Sequence, residues 1–217
     1  DEYTTVPGQY SLTFDDGAGC ARIGEITSFD PRDGTVQRAV EEVFSGDLTT
    51  ATRGRFTGFV YPTPADAGLD AEDVQVPVPG GHARAWRIAP GPSEDGEPRP
   101  AEGLWAVMVH GRGARRNEGI RAVPTARRLG MTSLLISYRN DGDAPDAADA
   151  RYGLGTTEWE DVEAAIRYAL DHGARDVVLF GWSMGGAVVL QTVDRSPLAP
   201  HVRGVVLTGP VIDWVDV

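Results

Sequence analysis

Hydrophobic and polar positions give this chain two textures. Up to about Tyr61 apolar residues come in short runs. Tyr10-Ser11-Leu12-Thr13-Phe14 and Ala21-Arg22-Ile23-Gly24-Glu25-Ile26 read as strands around the turn-prone Asp15-Asp16-Gly17. Thr35 to Phe44 fits either period, because Val36, Ala39, Val40 and Val43 would also share one face of a helix; the strand reading is preferred. Val74 to Val78, Pro79-Gly80-Gly81 and Ala83 to Ile88 read as a hairpin opening the main sheet. Pro90 to Pro100 is a Pro/Gly/acidic stretch expected to be an exposed, mobile loop.

From Leu104 the runs lengthen. Leu104-Trp105-Ala106-Val107-Met108-Val109 is continuously apolar, as in a strand buried on both faces. Ile120 to Leu129 has helical spacing and closes at Gly130; Thr132 to Ser137 is the next buried strand. Thr157-Glu158-Trp159-Glu160 fits a capping box, with Glu160 reaching back to the Thr157 amide. The helix it starts presents Val162, Ile166, Ala169 and Leu170 and stops at His172-Gly173. Asp176 to Phe180, Gly185 to Thr192 and Val202 to Leu207 complete a strand, helix, strand series. Such alternation predicts an α/β fold: a mostly parallel sheet with helices on both faces, over 73–217, preceded by a β-rich extension, 1–72, packed on it.

Composition narrows the partners. The 217 residues suit one large domain, with hydrophobic residues at 41% and charged residues at 24%. A formal charge of −12 repels phosphate backbones, so nucleic acid is not an expected partner. The lone cysteine, Cys20, excludes an intrachain disulfide and reads as a buried thiol. No apolar run reaches the length of a membrane span. The chain begins at Asp1 rather than Met, which leaves both exported or tethered and cytoplasmic locations open.

The candidate chemistry lies where buried strands end. Gly181-Trp182-Ser183-Met184-Gly185 places a serine between a strand and a helix, the context of a nucleophile elbow. A hydroxyl held clear of the sheet needs a sharp, strained turn, and the glycines make room for backbone passing close by. His110-Gly111-Arg112-Gly113 follows the Leu104–Val109 strand and reads as the loop of an oxyanion hole. Its donors would be the backbone N–H groups of Met184 and Arg112, with Gly111 as the further candidate. His110 reads as structural, and Trp182 either shapes the pocket or packs under the sheet edge. Tyr138, Arg139, Asn140 and Asp141 follow the next strand on the same edge and are expected to brace the elbow or line the pocket. Glu158 and Asp161 are read only as helix-favouring acids of a first turn.

With these motifs the chain resembles the α/β-hydrolases, and more narrowly the actinobacterial α/β-fold hydrolases of the serine aminopeptidase/BEM46-like group. The resemblance is carried by His110–Gly113, Ser137–Asp141, Tyr152–Gly155, Glu158-Trp159-x-Asp161-Val162, the elbow and Gly209–Trp214. It implies a sheet of about eight strands and cofactor-free, metal-free hydrolysis of a small ester or related acyl substrate.

A serine nucleophile also needs a base and an acid. After Ser183 the chain has only His201, expected at the amino end of its strand, the wrong edge; His172 has the same defect. His82 belongs to the hairpin and His110 to the loop. Asp213, past the last strand, is at the correct edge and is the candidate acid, against a loop-bracing role. These gaps lead to the expectation that the C-terminal strands, the histidine and the lid lie outside this chain, on a second polypeptide of the same fold. Acyl transfer, cofactor-free perhydrolysis, or an inactive hydrolase-like binding module are the competing readings.

Overall fold

A computed structural model describes residues 2–92 and 101–215, so most of the Pro90–Pro100 segment lies outside the described residues. The chain divides into two compact units, Asp1–Gly68 and Leu69–Val217. The first is an antiparallel sheet of β1 (Tyr10–Phe14), β2 (Gly19–Asp30), β3 (Thr35–Ser45) and β4 (Gly54–Thr57), in the order β3-β2-β1-β4. Thr35 to Ser45 is a strand, because tertiary pairing with β2 overrides a helix-compatible spacing. Phe14, Cys20, Ala21 and Ile23 are buried within it. Burial pushes the Cys20 thiol above its ordinary value, so it stays protonated and inert.

The second unit holds a six-stranded sheet. Its strands are β5 (Glu72–Val78), β6 (Gly81–Ile88), β7 (Leu104–Val109), β8 (Thr132–Ile136), β9 (Asp176–Trp182) and β10 (Val202–Thr208), in the order β10-β9-β7-β8-β6-β5. The ladders β10–β9, β9–β7 and β7–β8 are parallel, while β6 runs antiparallel to both its neighbours. Among the described residues the sheet thus has six strands, fewer than the eight the resemblance implies.

Side-chain alternation along β7 assigns the helices to faces. Trp105, Val107 and Val109 share a core with Val162, Ala165, Ile166 and Ala169 of α2 (Trp159–Asp171) and with Val188 and Val189 of α3 (Met184–Arg195). On the opposite face, Met108 and Leu135 lie against Gly119 in the turn leading into α1 (Val123–Leu129). Helices therefore cover both faces. The segment predicted as one helix from Ile120 starts as a 3-10 helix, Arg116–Ala122, and becomes α-helical only at Val123, where Pro124 sits in the first turn.

This topology reverses the strand order between β7 and β9. From β7 the chain crosses to β8, while from β9 it crosses the other way to β10. The helices that follow these two adjacent strands lie on opposite faces, so the chain leaves the carboxyl ends of β7 and β9 toward opposite sides at a topological switch point. Ligands bind at such points in open α/β sheets. No helix among the described residues is long and apolar enough to cross a membrane.

Candidate active site

Ser183 sits where β9 ends and α3 begins, with φ 49° and ψ −119°. This is a left-handed, strained backbone for a non-glycine residue, and its position between strand and helix sustains it. The residue is exposed while Trp182 and Met184 on either side are buried. Its backbone is held from three directions. The Ser183 amide donates to the Thr208 carbonyl (3.1 Å), and the Ser183 carbonyl accepts from Gly186 (2.9 Å) and Val211 (3.2 Å).

The flanking glycines are required by close approach. A Cβ on Gly181 would stand 2.7 Å from the Gly185 carbonyl oxygen and from Gly186 Cα. One on Gly185 would stand 2.1 Å from the Val109 carbonyl oxygen and 2.5 Å from that of His110. The elbow and the loop after β7 are in backbone contact, which no larger residue allows.

The sequence offers three candidates in that loop and a fourth, Met184, at the start of α3, and their fates differ. Arg112 is exposed, and its amide has no acceptor among the described residues. The Met184 amide, at the first position of α3, likewise points outward from a helix N-terminus with no acceptor among them. The Gly111 amide is not available: it donates to Glu118 Oε2 at 2.7 Å in a buried hydrogen bond. Gly111 is therefore removed from the donor set, because a buried carboxylate already satisfies it. His110 is 1% exposed. Its Nε2 donates to Asp141 Oδ2 (2.7 Å) and its Nδ1 faces the Gly111 carbonyl oxygen (2.9 Å). Neither ring nitrogen is free to take a proton from a hydroxyl, so His110 braces the loop.

Tyr138, Arg139 and Asp141 form the brace below the site. The Tyr138 ring stacks on His110 at 4.3 Å, and its hydroxyl donates to the His110 carbonyl (2.9 Å). Asp141 accepts from His110, from the Tyr138 amide (2.8 Å) and from the Tyr152 hydroxyl (3.1 Å). Burial and then Asp141 push the Tyr152 phenol up to about 12 and the Tyr138 phenol well above its ordinary value, so both remain neutral donors. Trp182 packs against Phe180 (6.3 Å) and is only 6% exposed, with the Arg121 guanidinium 5.3 Å above its ring.

Three acids turn out to be anchors that the sequence did not single out as such. The capping box is not formed: α2 begins at Trp159, and Thr157 Oγ1 is buried without a partner. Glu158 instead accepts the Gly153 (2.5 Å) and Gly155 (2.8 Å) amides, tying down the loop before the helix. Glu160 reaches Arg139 (2.9 Å) rather than the Thr157 amide, because the guanidinium offers a charge-assisted partner. Asp161 takes the Arg139 amide and guanidinium in three bonds of 2.9 Å, which hold that guanidinium above its ordinary value. Replacing Arg139 by alanine leaves Asp161, 2% exposed, buried without its counter-ion. The expected loss is about 3–5 kcal/mol, read as a lower midpoint in urea unfolding; an unchanged midpoint would show the pair to be dispensable.

The histidines fall as their positions in the chain suggest. His201 lies 3.6 Å from Asp176, the first residue of β9. Ser183 follows the last of the seven residues of that strand, so about 20 Å separates them at the ordinary strand rise. His172 ends α2, stacked 3.9 Å from Tyr168, and His82 lies in the exposed hairpin. Asp213 is at the right edge but exposed, its Oδ1 accepting the Val215 amide (2.8 Å), a loop-bracing role. Among the described residues no group of three or more His, Cys, Asp or Glu side chains could hold a metal ion.

A serine on a strained strand-to-helix turn, facing an amide-bearing loop at the switch point of a mostly parallel sheet, defines an α/β-hydrolase site. The chain belongs to the alpha/beta hydrolase fold family, whose model matches residues 107–217. Residues 1–57 match a domain of unknown function, DUF8805. No curated protein matches. Among solved structures, the chain is similar to the Pyrococcus furiosus esterase Pf2001 (18% identity, TM-score 0.55, covering 72% of this chain and 58% of the esterase). It is also similar to XC6422 from Xanthomonas campestris, an α/β serine hydrolase without a lid (18%, TM-score 0.51, 69% and 63%). A third is the thermostable carboxylesterase EstE1 from a metagenomic library (24%, TM-score 0.50, 66% and 48%). The chain spans between 48% and 63% of the length of these three.

Proposed function

We propose that this chain is the nucleophile-bearing part of a serine hydrolase that cleaves carboxylic esters, of the serine aminopeptidase/BEM46-like type. The observation that carries it is the exposed Ser183 on a strained turn, with amides at Met184 and Arg112 on adjoining elements that meet no acceptor among the described residues. Ser183 Oγ attacks the ester carbonyl carbon, and the carbonyl π electrons move onto oxygen, where the two amides receive the negative charge. A base takes the hydroxyl proton and returns it to the leaving alcohol. Water then attacks the acyl-enzyme by the same steps in reverse order. The esterase names of the structural neighbours agree with this chemistry.

The base comes from residues outside these 217. The support is positional: His110 is committed on both nitrogens, and His201 stands at the opposite edge of the sheet. The polypeptide that supplies it would add beside β10, the edge strand, whose Val205 and Val206 are 41% and 44% exposed.

The test is denaturing intact-mass analysis of the purified protein with and without a fluorophosphonate probe. A probe adduct on this chain together with a second co-purifying polypeptide is the expected result. No adduct and no second polypeptide would leave a hydrolase-like binding module instead.

A further inference from the structure

Glu118 is a 7% exposed carboxylate outside the strands and α-helices of the core. Both its oxygens are taken: Oε2 by the Gly111 amide at 2.7 Å, and Oε1 by the Arg121 guanidinium. Arg121 also donates through Nε to the Glu118 carbonyl (3.1 Å), closing the turn, and its guanidinium lies over the ring of Trp182, the neighbour of Ser183. Gly111 in turn presses on the elbow, since a Cβ on it would stand 3.1 Å from Ser183 Cβ and from the Trp182 carbonyl oxygen.

These contacts form a closed circuit from the loop to the elbow and back: Gly111, Glu118, Arg121, Trp182. We propose that Glu118 is the positioning residue of the oxyanion loop, an inference that rests on the serine hydrolase reading. By drawing the Gly111 N–H away from Ser183 it sets the peptide planes that follow and leaves the Arg112 amide as the donor of this loop. Arg121 orients the carboxylate and offsets its charge, which would otherwise oppose an oxyanion forming nearby. Glu118 touches no reacting atom; it acts through the backbone it holds.

The experiment compares wild type, Glu118→Ala, Glu118→Gln and Arg121→Ala in the full-length protein, with p-nitrophenyl butyrate as substrate. Amide hydrogen exchange of the 110–113 segment is measured alongside. Glu118→Ala is expected to lower kcat by about 30-fold or more with KM within about two-fold, because an oxyanion donor acts in the transition state. Exchange in the loop should accelerate, since the Gly111 amide loses its buried acceptor. Glu118→Gln keeps an acceptor oxygen and should recover most of both effects. Arg121→Ala should fall between, and it serves as the second variant if Glu118→Ala does not fold. A kcat within two-fold of wild type in Glu118→Ala, an effect confined to KM, or a glutamine variant no better than alanine would overturn the proposal. A wild-type protein that neither hydrolyses the ester nor labels at Ser183 would instead remove the hydrolase reading itself, and the exchange result would then describe only a loop anchor.

Discussion

Ser183→Ala is expected to abolish fluorophosphonate labelling of this chain and to lower ester turnover by at least about 10⁴-fold, the scale on which triad enzymes lose kcat without their nucleophile. The fold should survive the change. Ser183 is exposed and makes no side-chain hydrogen bond among the described residues, and alanine meets the same steric demand at φ 49° as serine does. Its backbone bonds to Thr208, Gly186 and Val211 are untouched by the substitution. Thermal unfolding of the variant should therefore match wild type while activity is gone. Labelling that persists in the variant would place the nucleophile elsewhere and remove the elbow from the mechanism.

Gly185→Ala is expected to show the opposite pattern, a structural failure with a chemical consequence. The new methyl would overlap the carbonyl oxygens of Val109 (2.1 Å) and His110 (2.5 Å), both of them backbone. No rotamer can relieve a Cβ clash, so either α3 or the loop after β7 must move. A loss of at least about 3 kcal/mol is expected, at the upper end for overpacked sites, measured as a shifted midpoint in denaturant unfolding. Any folded remainder should have lost activity too, because the contact that fails is the one holding the elbow against the loop after β7. Gly204→Ala in β10 is the control: a Cβ there meets nothing within 4 Å, so the midpoint should barely change. Equal midpoints for the two variants would show that the close approach at Gly185 is not needed for stability.

The elements were largely legible because their signals are local. Continuous apolar runs at Leu104–Val109 and Val177–Phe180 leave little choice but buried strands, and Ser183, between two glycines and between strand and helix, marks the elbow. The misreadings share a cause. Capping-box spacing points Glu160 to the Thr157 amide, and the position of the His110–Gly113 loop after a buried strand makes Gly111 a candidate oxyanion donor. In the fold each meets a charged partner that motif spacing does not reveal: Arg139, 21 residues away, for Glu160, and Glu118, seven residues on, for the Gly111 amide.

From its sequence alone this protein is determined to have a mostly parallel α/β unit after a β-rich segment, a serine at a strand-to-helix turn, and no histidine after it except one at the wrong end of a strand. Those features depend on periodicity, residue size and chain order, which act over a few residues or one element. Only the tertiary structure decided that β7 and β9 are neighbours at a switch point, that the Arg112 and Met184 amides meet no acceptor among the described residues, and that Glu118, Glu158 and Asp161 are buried anchors. Burial raises the cost of an unpaired carboxylate until it must find donors; for Asp161 they come from Arg139, 22 residues away, and for Glu118 and Glu158 from nearby amides that the folded chain turns toward them.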